Sequence, residues 1–90
     1  MVTDVKFFEG EKDLEVLTGL SHDELWDAGF DLDDMDFGIA TDEEWIADNW
    51  YNYPDAPYYK TWMLNHMESH CVGYKLVKYK DKYYYTVHHS

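Results

Sequence analysis

The chain has 90 residues, with 19 Asp and Glu against seven Lys, no Arg, and a formal net charge of −12. That length makes one domain, spanning 1–90, and that charge repels nucleic acid and anionic membranes while favouring basic partners. Four Trp, nine Tyr and four Phe exclude the class of disordered acidic chains, which are poor in aromatics.

Cys71 is the only cysteine, so no intramolecular disulfide forms and a reducing cytoplasm fits. The opening MVTDVKFFEG lacks a signal-peptide core, and no stretch reaches the ~20 apolar residues that span a bilayer. The expectation is a soluble cytoplasmic protein.

In chain order, residues 2–9 (VTDVKFFE) read as a short strand. Residues 11–18 read as a helix on Leu14 and Leu17, ended by Gly19. Ser21-His22-Asp23-Glu24 is a capping box, with Leu20 and Leu25 placed as a hydrophobic staple and Gly29 as the stop. The acidic run Asp31–Asp36 reads as a solvated loop, with Phe30, Leu32, Met35, Phe37 and Ile39 pointing inward between the acids. Thr41-Asp42-Glu43-Glu44 repeats the capping box and predicts a helix near 42–51 carrying Trp45, Ile46 and Trp50. Asp55 and Pro57 start a third helix over 56–70, with Tyr59, Trp62, Met63, His66, Met67 and His70 on one stripe.

The tail from Gly73 reads as a hairpin. With Asp81-Lys82 as the turn, Leu76 faces Val87 and Tyr79 faces Tyr84. Leu76, Tyr85 and Val87 share one face, and Val77, Tyr79, Tyr84 and Thr86 share the other. The expected fold is α+β: a small antiparallel sheet, with the N-terminal strand joining the hairpin, packed with three or four short helices on one face.

Charge is distributed unevenly. Between Lys12 and Lys60 there are fourteen acids and no base, whereas residues 59–90 carry a net +3. Asp31, Asp33, Asp34 and Asp36 are the densest run. They do not form an EF-hand: aligning Gly38 to the loop glycine puts Met35 and Phe37 at ligand positions, where they cannot ligate. An array of carboxylates held outward does resemble the phosphate field of DNA, with one charge per ~1.7 Å of axis.

Other constellations are weaker. His66 and His70 share a helix face at the spacing of zinc ligands, with Cys71 beside them and His88 and His89 as further donors. No second Cys supports the site, and Met67 stands where a zinc protease carries Glu, so no metal and no cofactor are expected. Cys71 with either histidine lacks a Gly-rich oxyanion loop, so no enzyme is expected. Lys75, Lys78, Lys80 and Lys82 among tyrosines suit single-stranded nucleic acid, but the overall charge favours an ordinary sheet with a protected edge.

The small, acidic, aromatic, arginine-free composition is similar to that of phage and mobile-element inhibitors of restriction and CRISPR systems. That resemblance implies a DNA mimic with no direct nucleic-acid or membrane contact. Its partner is a basic nucleic-acid-binding protein, such as a nuclease or a restriction or CRISPR effector. The residues expected to meet it are Asp23, Glu24, Asp27, Asp31, Asp33, Asp34, Asp36, Asp42, Glu43, Glu44 and Asp48; Trp26 and Trp45 are candidate exposed anchors, with packing inside the preferred reading. The runner-up is an aromatic protein-interaction adaptor whose acids serve solubility, and the third class is a divalent-metal-binding protein.

Overall fold

The run Phe37-Gly38-Ile39-Ala40-Thr41 is apolar on successive residues, the pattern of a strand covered on both faces. In the computed structural model, which describes residues 5–49, 65, 68, 69 and 72–89, it is such a strand. The described elements are β1 (Val5–Glu9), α1 (Gly10–Thr18), α2 (His22–Asp27), β2 (Met35–Thr41), α3 (Glu44–Asp48), β3 (Val72–Tyr79) and β4 (Lys82–His89). The four strands form one antiparallel sheet in the order β1-β2-β4-β3. The α+β expectation holds.

Four sequence expectations are corrected. Residues 35–41 are an interior strand rather than a loop, and only Asp31–Asp34 remain outside it. The N-terminal strand joins the sheet beside β2, not beside the hairpin. The hairpin turns at Lys80-Asp81, so Leu76 pairs with Tyr85 and Tyr79 with Lys82. Finally, Thr41 closes β2 instead of capping a helix. Its Oγ1 accepts the Glu43 N–H at 3.2 Å, Glu43 takes the cap position without a side-chain bond, and α3 is a short helix ending at Asp48. The stripe predicted over 56–70 lies largely outside the described residues, as do Trp50, Cys71, His66 and His70.

The sheet has apolar clusters on both faces. Phe8, Ala40, Val77 and Tyr84 meet Leu14 of α1, Leu25 of α2 and Phe30 on one face. Phe37, Ile39, Tyr85 and Val87 form the other, with Val5 and Phe7 against them. Phe30 meets Tyr84 edge-on at 5.1 Å and 79°, a geometry worth ~0.5–1.5 kcal/mol beyond burial. Burial also raises the Tyr84 hydroxyl above the usual phenol range, with Tyr79 adding to the effect.

Helix ends follow local chemistry. Gly19, at φ 75°, stops α1 and donates to the Glu15 carbonyl at 2.8 Å. After α2, Gly29 donates to Trp26 O and Phe30 to Leu25 O, each at 3.1 Å. This is a Schellman motif, and its apolar contact joins the buried Phe30 and Leu25.

Gly38 is a point of close approach within the sheet. A Cβ there would run into the Phe8 ring on β1 and the Tyr85 carbonyl on β4, so the ring fills the space a side chain would need. Gly38→Ala is expected to lose about 1–3 kcal/mol or more through overpacking. That lowers the melting temperature by roughly 4–8 °C per kcal/mol in a domain of this size. Gly73→Ala, where nothing lies within 4 Å, is the control and should melt within a few degrees of the wild type. Equal melting of the two variants in a calorimetric scan would contradict this packing.

Candidate partner-binding surface

The strand β2 determines where the acids go. It advances ~3.4 Å per residue, so Asp36 and Asp42 are separated by ~20 Å along it. The expected binding residues therefore fall into groups rather than one patch. Asp31, Asp33, Asp34 and Asp36 stand at the start of β2, and Asp42, Glu43 and Glu44 at its end. Asp23, Glu24 and Asp27 lie on α2, near Tyr79 at the turn end of the hairpin. Asp48 is the last residue of α3, and its side chain lies outside the described residues.

The group at the start of β2 is anchored to the end of β4. Asp31 Oδ1 accepts the Asp33 N–H at 3.1 Å, which tightens the turn. Asp34 has φ 55°, a left-handed conformation that Asp tolerates better than most residues. The His89 N–H donates to the Asp34 carbonyl at 3.0 Å, and His89 Nδ1 lies 2.5 Å from Asp36 Oδ1. His88 Nδ1 faces the Asp33 carbonyl oxygen at 2.9 Å; a carbonyl only accepts, so this nitrogen carries a proton. His88 Nε2 lies 2.9 Å from Thr86 Oγ1. The pairing slips between Met35 and Phe37, where Asp36 is the extra residue of a bulge that turns its carboxylate toward His89.

These four acids thus differ in role. Asp36 is engaged by His89 and mostly covered, Asp31 is half-buried, and Asp33 and Asp34 face solvent. At the other end, Asp42, Glu43 and Glu44 are exposed and carry no ion pair among the described residues. Trp45 follows them and is 58% exposed, contrary to the expectation that it packs inside. The helix is too short for its apolar residues to share one face: Ile46 and Ala47 are buried, and Trp45 precedes them on the open side. Trp26 is also exposed, its indole N–H donating to His22 Nε2 at 3.0 Å, while His22 Nδ1 contacts Glu11 Oε1 at 2.8 Å. Trp45 is thus one of the two tryptophans the sequence offers as an exposed anchor, and its position directly after three acids at a helix start is the signal that favours this over interior packing.

On α2 the predicted capping box is formed. Ser21 Oγ accepts the Glu24 N–H at 3.3 Å and Glu24 Oε1 accepts the Ser21 N–H at 3.0 Å. The Ser21 N–H, then its hydroxyl, hold the Glu24 carboxyl below the usual range, with a smaller contribution from the charge of Lys80. Among the described residues, no group of three or more His, Cys, Asp or Glu is arranged to hold a metal ion, and no helix is long and apolar enough to cross a membrane.

Comparison with protein-family models, curated proteins and solved structures returns no match. The functional reading rests on the surface itself.

Two outcomes test this geometry. A carboxylate whose folded value is lowered adds stability above its unfolded value, ~4.3 for Glu, and that contribution is lost as pH falls through the folded value. The Ser21 amide proton should therefore move upfield in acid in NMR spectra, and Glu24→Gln should flatten that titration. Removing the histidine anchor by His88→Ala should cost about 1–2 kcal/mol in urea unfolding, at ~1 kcal/mol per net hydrogen bond. It should raise amide exchange at residues 33–36 while leaving α2 unchanged.

Proposed function

We propose that the chain is a non-enzymatic inhibitor that occupies the basic nucleic-acid groove of a larger protein, its carboxylates standing where phosphates would bind. The partner class is a nuclease or a restriction or CRISPR effector, met in the cytoplasm, as suits a phage or mobile-element product. The observation that carries the reading is the pair of exposed acid groups, Asp33–Asp34 and Asp42–Glu44, held apart by one interior strand. The strand between them, Met35–Thr41, spans ~20 Å, the rise of about six base pairs at ~3.4 Å each. A strand buried on both faces keeps that spacing fixed, and rigid spacing separates a mimic from a merely acidic surface. Trp45, exposed beside the second group, supplies the kind of aromatic anchor that carries binding energy at interfaces.

The experiment is equilibrium binding to a panel of immobilised DNA-binding nucleases across salt concentrations. Asp42→Lys, Glu43→Lys and Glu44→Lys together should weaken binding at least ~10-fold and flatten its salt dependence, because fewer phosphate-like contacts are made. Trp45→Ala should weaken binding ~30-fold, ~2 kcal/mol, and leave the salt slope unchanged. Affinity that is constant up to 1 M salt, or indifferent to the triple reversal, overturns the reading.

A second reading has its own observation. Tyr74 is 66% exposed on β3, stacked on Tyr85 at 5.1 Å, and Leu76 beside it is 37% exposed. These suit an adaptor that binds through an aromatic sheet face. Tyr74→Ser with Leu76→Ser would abolish binding by an adaptor and spare an acidic mimic.

A further inference from the structure

A cleft of about 310 Å³ opens between α2 and the hairpin, lined by Leu20, Glu24, Asp27, Ala28 and Tyr79. Its parts are chemically selective. Leu20 and Ala28 contribute apolar lining that suits methylene groups, and Tyr79 contributes an aromatic ring. Glu24 and Asp27 are three residues apart on one helix, so their carboxylates lie on the same side. The Glu24 carboxylate is held in place by the Ser21 N–H at 3.0 Å. An anion would be repelled by both acids, and an uncharged guest would strip water from them without compensation. The chain itself provides an independent sign of what the site takes: Lys80 Nζ sits 5.4 Å from the centre of the Tyr79 ring, within cation–π range.

We propose that this cleft is a receptor for one lysine or arginine side chain of the basic partner, and that Lys80, held over the Tyr79 ring, competes with it for that ring in the free protein. The proposal deepens the mimicry reading by naming a specific pocket on the acidic surface, and the partner's basic groove supplies the side chain. Lys80 lies at the tip of the β3–β4 turn with an exposed side chain, so it can withdraw without disturbing either strand. An incoming side chain then takes over the Tyr79 ring and the two carboxylates.

The test uses small probes on the full chain, with no macromolecular partner. n-Butylammonium and n-butylguanidinium are titrated by NMR against the amides of Leu20, Glu24, Asp27, Ala28 and Tyr79, with n-butanol and butyrate as controls. Saturable shifts confined to these residues are expected with both cations and neither control. Lys80→Asn removes the competing charge and suits the left-handed turn, so it should fold at least as well and bind about two- to five-fold tighter, the factor a surface cation–π contact provides. Tyr79→Leu and the pair Glu24→Gln with Asp27→Asn should each weaken binding several-fold. Shifts spread over all acids, equal response to n-butanol, or a Lys80→Asn affinity at or below wild type overturns the proposal. Because no nuclease is present, failure here leaves the salt and charge-reversal results to decide the mimicry reading separately.

Discussion

The pairing of β2 with β4 is the constraint on which the rest of the structure depends. Both strands are interior, and from Phe37 to Thr41 and from Tyr84 to Val87 no residue is exposed on either face. Such a seam tolerates a polar group only if it is bonded. The two buried threonines comply: Thr41 Oγ1 accepts from Glu43, and Thr86 Oγ1 donates to the Lys75 carbonyl at 3.1 Å. The seam also dictates Gly38, since β1 and β4 close on it from both sides. Every exposed acid near β2 takes its position from this strand, so the surface inherits the rigidity of the core.

Local chemistry was the most legible part of the sequence. The Ser21–Glu24 box, the stops at Gly19 and Gly29, and the two faces of the hairpin all follow from short-range rules, and the structure contains each of them. The hairpin register did not follow. Lys-Asp is an unusual pair for a two-residue turn, and neighbouring pairs offered no stronger signal. The true register differs from the expected one by two residues in pairing, an even shift that keeps each side chain on its face. That is why the faces were right while the partners were wrong.

The strand β2 was obscured by its own first residues. Asp33, Asp34 and Asp36 read as loop, and Thr41 with Glu44 read as a helix start, so the four residues between them, Phe37 to Ala40, lost both boundaries. The misreading has a physical root: a doubly buried strand shows no alternation, and its acids are turn and bulge residues fastened by His88 and His89 from 53 to 55 positions away. Nothing local in the sequence announces that attachment. The candidate site was legible in the same partial way. Charge named the residues, but only the fold separates carboxylates engaged in capping and anchoring, those of Glu24 and Asp36, from the exposed ones of Asp33, Asp34 and Asp42–Glu44, although the Asp33 and Asp34 carbonyls are themselves anchors for His88 and His89. Exposure of Trp45 required knowing that its helix is barely one turn long.

The hairpin turn places two non-glycine residues, Lys80 and Asp81, at φ 48° and 63°. Asn-Gly adopts that geometry with less strain. A chain optimised for folding alone would replace both, and would thereby lose the cation that lies over Tyr79. Position 80 thus couples two selectable properties through one side chain, conformational ease at the corner and a cation over the Tyr79 ring, and sequence drift that improves the first erodes the second.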